Sequence, residues 1–170
     1  PRNPYLLGQL SAMPPQQPVQ RFSHFFAIGE GTALPSGYQG SLFSIDPIHS
    51  LVTASQRLPK GSGFETSDRG PVLTSADEGF RPVFIVNAPD GSLFLADFYE
   101  HYIAHGQHFQ SQIDASSGRI YRLRGKDARL ENDLNLAAKS SRQLVGFLNH
   151  PNKWHRQTAV RLLGERADLS

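Results

Sequence analysis

Gly40-Ser41-Leu42-Phe43-Ser44-Ile45-Asp46 returns 51 residues later (91 − 40) as Gly91-Ser92-Leu93-Phe94-Leu95-Ala96-Asp97. Each copy is a short β-favouring run entered through a turn: Pro35-Ser36-Gly37 precedes the first, and Pro89-Asp90-Gly91 leads into the second. A strand-like word recurring at this period marks an array of sheets, and one propeller blade is a four-stranded sheet of roughly 40–50 residues. Two copies cover about two blades, whereas a closed ring needs about four or more. The expected fold is therefore mainly β, a partial β-propeller of about two blades, as a piece of something larger.

Working outward, Val83-Phe84-Ile85-Val86 runs into Asn87-Ala88-Pro89-Asp90-Gly91 and out again through Leu93-Phe94-Leu95-Ala96. Proline presets φ for the turn and Gly91 supplies the left-handed residue that closes it. Both arms are almost continuously apolar, which predicts strands covered on both faces. Further strands are predicted at 41–46, 49–56 and 118–124, with a short outer strand at 64–66. In the last full strand Ile120 and Leu123 are the expected inward positions. Phe22, Phe25, Phe26 and Ile28 are core candidates in the mixed segment 21–34. Residues 98–117 form a long polar, histidine-rich excursion, and loops of such length are often functional.

The grammar changes after Lys126. Residues 127–140 read as a linker. Ser141 is a candidate cap for a helix carrying Leu144, Val145 and Leu148, and Asn152 for a second helix carrying Trp154, Thr158, Ala159, Leu162 and Leu163. Two short amphipathic helices joined by a tight turn make one solenoid repeat, which cannot bury its face alone. The domains are thus 1–126, the propeller blades; 127–140, the linker; and 141–170, the helical repeat.

Composition sets limits. The chain has 170 residues, 38 % of them hydrophobic, with 15 Gly, 12 Pro and no Cys. It can form no disulfide or thiolate metal site. A net charge of +2 gives no footprint for nucleic acid. No apolar run approaches the ~18 residues of a membrane span.

Several words together resemble a known family: Ser41 to Val52, Gly79-Phe80-Arg81-Pro82-Val83, Pro89 to Tyr99, and Gly118-Arg119-Ile120-Tyr121-Arg122. In this order, over roughly residues 15–125, they resemble the planctomycete-type membrane-bound dehydrogenase domain. That family is a β-propeller similar to the soluble glucose/sorbosone dehydrogenases, which use pyrroloquinoline quinone (PQQ). The resemblance implies an extracytoplasmic bacterial protein whose propeller continues into HEAT-like helical repeats and a c-type cytochrome domain carrying haem. Leu148 to Arg156 looks like the start of the helical part. The implied parent oxidises a sugar or other alcohol through the quinone. Its base and metal-binding segment would lie outside this chain, so no catalytic residue is assigned here and the chain alone is not expected to turn over substrate. In the related enzymes, arginines ahead of the Pro-Asp-Gly turn hold the cofactor's carboxylates, which makes Arg81 the cofactor-binding candidate. The implied partners are the rest of the propeller, further helical repeats and a cytochrome domain.

Read as residues alone, Arg81 either holds an anionic ligand through a bidentate fork or pairs with Asp97 or Asp77 to fix the blade. Asp46 and Asp97 end equivalent strands; they either line one mouth of the array or accept backbone N–H groups in the following turns. Asp97, Tyr99, His105 and His49 are the pocket candidates, with His49 alternatively a packing residue. His101, His105 and His108 offer a spacing that can hold a transition metal, or else furnish a polar loop. Arg142, Lys153, Arg156, Arg161 and Arg166 give the helical tail a basic face. An alternative to the dehydrogenase reading is a non-catalytic module that binds a glycan or a protein.

Overall fold

The structure, a computed structural model, describes residues 24–101 and 116–166. Seven strands and two α-helices follow in chain order: β1 (Phe25–Ile28), β2 (Leu42–Asp46), β3 (Leu51–Lys60), β4 (Gly63–Thr74), β5 (Pro82–Asn87), β6 (Leu93–Asp97), β7 (Arg119–Leu123), α1 (Ser141–Phe147) and α2 (Lys153–Glu165). The strands form two antiparallel sheets in sequence order, β1-β2-β3-β4 and β5-β6-β7. The repeated words are β2 and β6, each the second strand of its sheet. Among the described residues the two sheets do not close on each other or into a ring.

The β5–β6 hairpin forms where the sequence places it. Gly91 has φ +87°, and its N–H donates to the Ala88 carbonyl at 3.2 Å. The β3–β4 hairpin is longer than expected. The predicted outer strand at 64–66 extends over all of Gly63–Thr74 and pairs with β3 through two register shifts. Its polar, glycine-containing sequence carries no alternation. Pro71 is tolerated because β4 is an edge strand and needs no second ladder of donors.

The sheets pack face to face around Phe43, Ile45, Val52 and Ala54 from one and Ile85, Leu93 and Leu95 from the other, with Phe80 and Leu34 closing the sides. Phe80 meets Tyr121 edge-on at 5.6 Å. The two repeats reach this core with opposite faces. Phe43 and Ile45 are buried, while their counterparts Phe94 and Ala96 are only half-buried. Leu93 and Leu95 are buried, while their counterparts Leu42 and Ser44 are half-buried. The sheets are therefore stacked head to tail, with one face of the repeat set against its other face.

This stacking corrects two sequence expectations. The second face of β5 and β6 is only partly covered among the described residues: Phe84, in register with Ala96 and through it with Ile120, is 46 % exposed although the Phe25 ring lies 4.8 Å from its own. Ile120 is 77 % exposed, so the inward residues of β7 are Tyr121 and Leu123. Phe25 and Phe26 are likewise exposed on the edge strand β1; Phe22 lies outside the described residues.

The linker runs back across the sheets. The Gly125 N–H donates to the Ala33 carbonyl at 2.8 Å and the Glu131 N–H to the Asp90 carbonyl at 3.0 Å. The cap of α1 is Ser140 rather than Ser141. Its hydroxyl accepts from the Gln143 N–H, and the Gln143 side chain accepts from the Ser140 N–H, a capping box. Leu144 is the buried residue of α1; Val145 and Leu148 are exposed, and Phe147 shares the buried face instead. Asn152 caps α2 as expected, accepting from the Trp154 N–H, and its amide also donates to the Pro89 carbonyl at 3.0 Å. With the Lys153 N–H on the Glu30 carbonyl and Lys153 Nζ on the Glu30 carboxylate at 2.7 Å, α2 is tied to the loops that precede both copies of the repeat. Part of the basic face is thus used within the chain. No described helix is long and apolar enough to cross a membrane.

Candidate functional site

The helices hold one end of the sheets; the turns after β2 and β6 lie at the other. Asp46 and Asp97, the last residues of these strands, are both buried. Asp46 Oδ1 accepts the N–H groups of Ile48 and His49, each at 3.0 Å, and Oδ2 meets His49 Nδ1 at 2.7 Å. Asp97 Oδ1 accepts the N–H groups of Arg81 at 2.8 Å and Tyr99 at 2.9 Å, while its buried Oδ2 has no hydrogen-bond partner among the described residues. Both carboxylates therefore organise the turns that follow. Ser50 (φ 55°) and Tyr99 (φ 52°) in these turns occupy the left-handed region, which is sparsely populated by residues other than glycine, and a bulky residue there is an outlier.

Arg81 joins the two turns. Its Nε donates to the Glu100 carbonyl at 2.9 Å, Nη1 to the Pro47 carbonyl at 3.1 Å and to Ser50 Oγ at 2.8 Å, and Nη2 to the His101 carbonyl at 3.2 Å. Four of the five N–H groups of a guanidinium are thus committed to the protein. Asp97 takes the Arg81 backbone N–H and not the guanidinium. Asp77 turns instead to the Gly79 N–H at 3.0 Å. The pairings expected from sequence are replaced by a clip of carbonyls across the two sheets.

Above the clip lies a cleft of about 410 Å³ lined by residues that include His49, Ser50, Asp77, Glu78, Arg81 and His101. The predicted residues His49, Arg81 and His101 therefore meet. Asp97 sits beneath, holding the backbone of Arg81. The Tyr99 ring lies against Gly79, where a Cβ would come within 2.7 Å of it, and meets His101 edge-on at 5.7 Å. His105 and His108 lie outside the described residues, so the proposed metal set with His101 falls there too.

His49 is not a packing residue: its side chain is 44 % exposed. An ionised carboxylate accepts only, so His49 donates its Nδ1–H to Asp46 Oδ2, and in the uncharged tautomer that makes this bond the lone pair is on Nε2. An imidazole oriented this way can accept a proton or a hydrogen bond from a hydroxyl. Sequence reasoning weighed Asp46 and His49 separately and did not join them; the signal was the Asp-x-x-His spacing at a strand end. Ser50 was missed because nothing in the sequence marks its left-handed backbone or its bond to Arg81. A groove of about 470 Å³ between the outer strands, lined by Tyr38, Val72, Arg122 and Leu123 among others, is larger. It holds no such carboxylate–imidazole pair.

Residues 21–127, both sheets and the turns that build the cleft, match the family described as Domain of unknown function (DUF7133). The chain belongs to this family. The family match ends at the linker, before α1 begins. No curated protein and no solved structure matches the chain.

Proposed function

We propose that the chain supplies two adjoining blades of a β-propeller, and that the cleft at His49, Ser50 and Arg81 is part of its ligand-facing rim. The observation that carries this reading is the head-to-tail stacking of the repeats. An interface of one face on its unlike partner leaves an unlike pair open, so it propagates and either closes into a ring or continues. Polar ligands of ring-like arrays bind where strand-end turns gather, and both repeat carboxylates stand at that end.

Within that reading the parent is an extracytoplasmic dehydrogenase-like protein, similar to the glucose/sorbosone enzymes and acting on a sugar or other alcohol, with electrons passed to a haem domain. Arg81, the candidate for the carboxylates of PQQ, commits four of its five N–H groups to acceptors among the described residues, which argues against a bidentate clamp at this position. Any quinone of the parent is held by other segments. What this chain offers is His49 Nε2 as an acceptor for a substrate hydroxyl, with Asp46 fixing the ring. Asp77 and Glu78 at the cleft wall add acceptors, a set that suits a polyhydroxylated ligand.

The commitment of Arg81 to the protein favours a second reading, a non-catalytic rim that binds a glycan. Titration of the full-length parent with PQQ, followed by dye reduction with a panel of sugars, separates the two. Quinone binding with turnover, lowered at least tenfold in kcat/KM by His49→Ala, supports the dehydrogenase reading. Glycan binding without quinone uptake supports the second. Loss of neither on His49→Ala removes the cleft from both.

A further inference from the structure

We propose that Glu131, His150 and His155 form a binding site for a transition-metal cation of the zinc type, at the joint between the sheets and the helical pair. The three residues come from the linker, the turn between the helices and α2. One ligand atom from each, a carboxylate oxygen and two imidazole nitrogens, lie within 4.8 Å of one another. The resemblance gives none of the three a role and the cleft does not include them, so the inference stands apart from the propeller reading.

His155 carries the argument. It is 1 % exposed, and among the described residues neither ring nitrogen has a hydrogen-bond partner. Buried polar groups are rarely left unpaired, and each exception calls for an explanation such as an ion. Packing does not supply one. The ring stacks on Phe147 at 5.6 Å, meets Trp154 edge-on at 5.2 Å and lies 4.3 Å from the His150 ring, surroundings that a phenyl ring would fill without cost. The neighbouring Pro89 carbonyl already accepts from Asn152; it has a second lone pair and lies close enough to favour a proton on the ring, but makes no well-formed hydrogen bond to either nitrogen. Burial, with the nearby His150, lowers the His155 pKa from the usual imidazole range, against the opposite pull of Glu131, the Pro89 carbonyl and Asp133. The ring therefore favours its neutral form, which keeps one lone pair for a metal.

The other two groups are already aimed. The Glu131 carboxylate is steadied by the Thr32 hydroxyl at 3.3 Å, and its Oε1 lies 3.9 Å from His150 Nε2. Ligand atoms on a tetrahedral zinc at ~2.0–2.2 Å stand roughly 3.3–3.6 Å apart, so ligand atoms that now lie within 4.8 Å of one another need to close by up to about 1.5 Å. Two imidazoles and one carboxylate with an open fourth position suit zinc-type ions over calcium or magnesium, which prefer oxygen. His150 Nδ1 accepts the Asn152 N–H at 3.1 Å, which leaves the ring proton on Nε2 in the metal-free state. Binding at Nε2 moves that proton to Nδ1 and opens the Asn152 contact, so metal entry has its own spectroscopic mark.

The test is titration of the metal-stripped full chain with Zn²⁺ against a chelating indicator. The expected result is one saturable equivalent, weakened at least about tenfold by either His155→Ala or Glu131→Gln, and unchanged when His101, His105 and His108 are all replaced by Ala. Co²⁺ in place of Zn²⁺ should give the visible bands of a four-coordinate ion, and the Asn152 amide resonance should shift on loading. Circular dichroism checks each variant; Glu131→Gln, half-buried and nearly isosteric, keeps the test open where His155→Ala disturbs the joint. Absence of saturable binding overturns the proposal. So does binding that survives Glu131→Gln and His155→Ala, or binding that disappears with the 101–108 histidines.

Discussion

The turns after β2 and β6 start from the same word and reach different ends. Asp46 satisfies its carboxylate on two N–H groups and on His49. Asp97 takes two N–H groups and leaves one buried oxygen with no hydrogen-bond partner among the described residues. At the position 51 residues on from His49 stands Glu100 (49 + 51), which brings no matching donor. The strands of the repeat are thus constrained alike by pairing and burial, while the residues just past them are free to diverge. The candidate site in this molecule therefore draws on the part of the repeat that is not repeated.

The sharpest way to break the comparison uses its identical aromatic residues. Phe43→Ala, in the core at 3 % exposure, should cost about 3–5 kcal/mol in chemical denaturation. Phe94→Ala, its counterpart on the open face, should cost well under half of that. Equal losses would mean that the sheets are not stacked head to tail in solution. If a further sheet covers the open face in the complete parent, the Phe94 cost should rise toward that of Phe43 there.

The carboxylates give the next effect. Asp46→Asn removes a charge-assisted bond to His49 and should cost about 1–3 kcal/mol. Asp97→Asn keeps Oδ1 for the two backbone donors and replaces the unpartnered oxygen with an amide; it should cost less than Asp46→Asn. A reversed order, measured by urea midpoints at constant slope, would show that the Asp97 oxygen has a partner that the geometry does not reveal.

The smallest contrast lies at the opposite end, where the loops before both repeats meet α2. The lowered His155 pKa means that the unfolded chain binds a proton there more readily than the native one. Stability is therefore full above the ordinary imidazole value and falls as pH drops below it toward the lowered one. In the presence of a chelator, Tm should decline between pH 7 and pH 5, and His155→Phe should flatten that decline. A slope unchanged in His155→Phe assigns it to other groups.

Much of this architecture could be read from residues. The heptapeptide pair located the second strand of each sheet, and Pro89-Asp90-Gly91 located a hairpin, because turn chemistry and β-rich runs are local signals. Which face of each strand is buried was not legible. Phe84, Val86 and Ile120 look like core, and only the stacking direction, a tertiary property, leaves them open. β4 escaped because a long edge strand held by its partner's ladder needs no alternating pattern. At the site, Arg81 and His49 stood out as charged or titratable groups at strand ends. The role of Arg81 did not, since it depends on four acceptors from residues 47, 50, 100 and 101. His155 was hidden among helix residues whose spacing marks burial but not the lack of a partner.

The clip made by Arg81 has a further consequence. Neither a guanidinium nor a peptide carbonyl changes its protonation in acid. The bridge between the two turns contains neither carboxylate nor imidazole, so acidification leaves its hydrogen bonds in place for as long as the sheets stay folded. The outline of the cleft is therefore set by groups that do not answer to pH, whatever ionises along its walls.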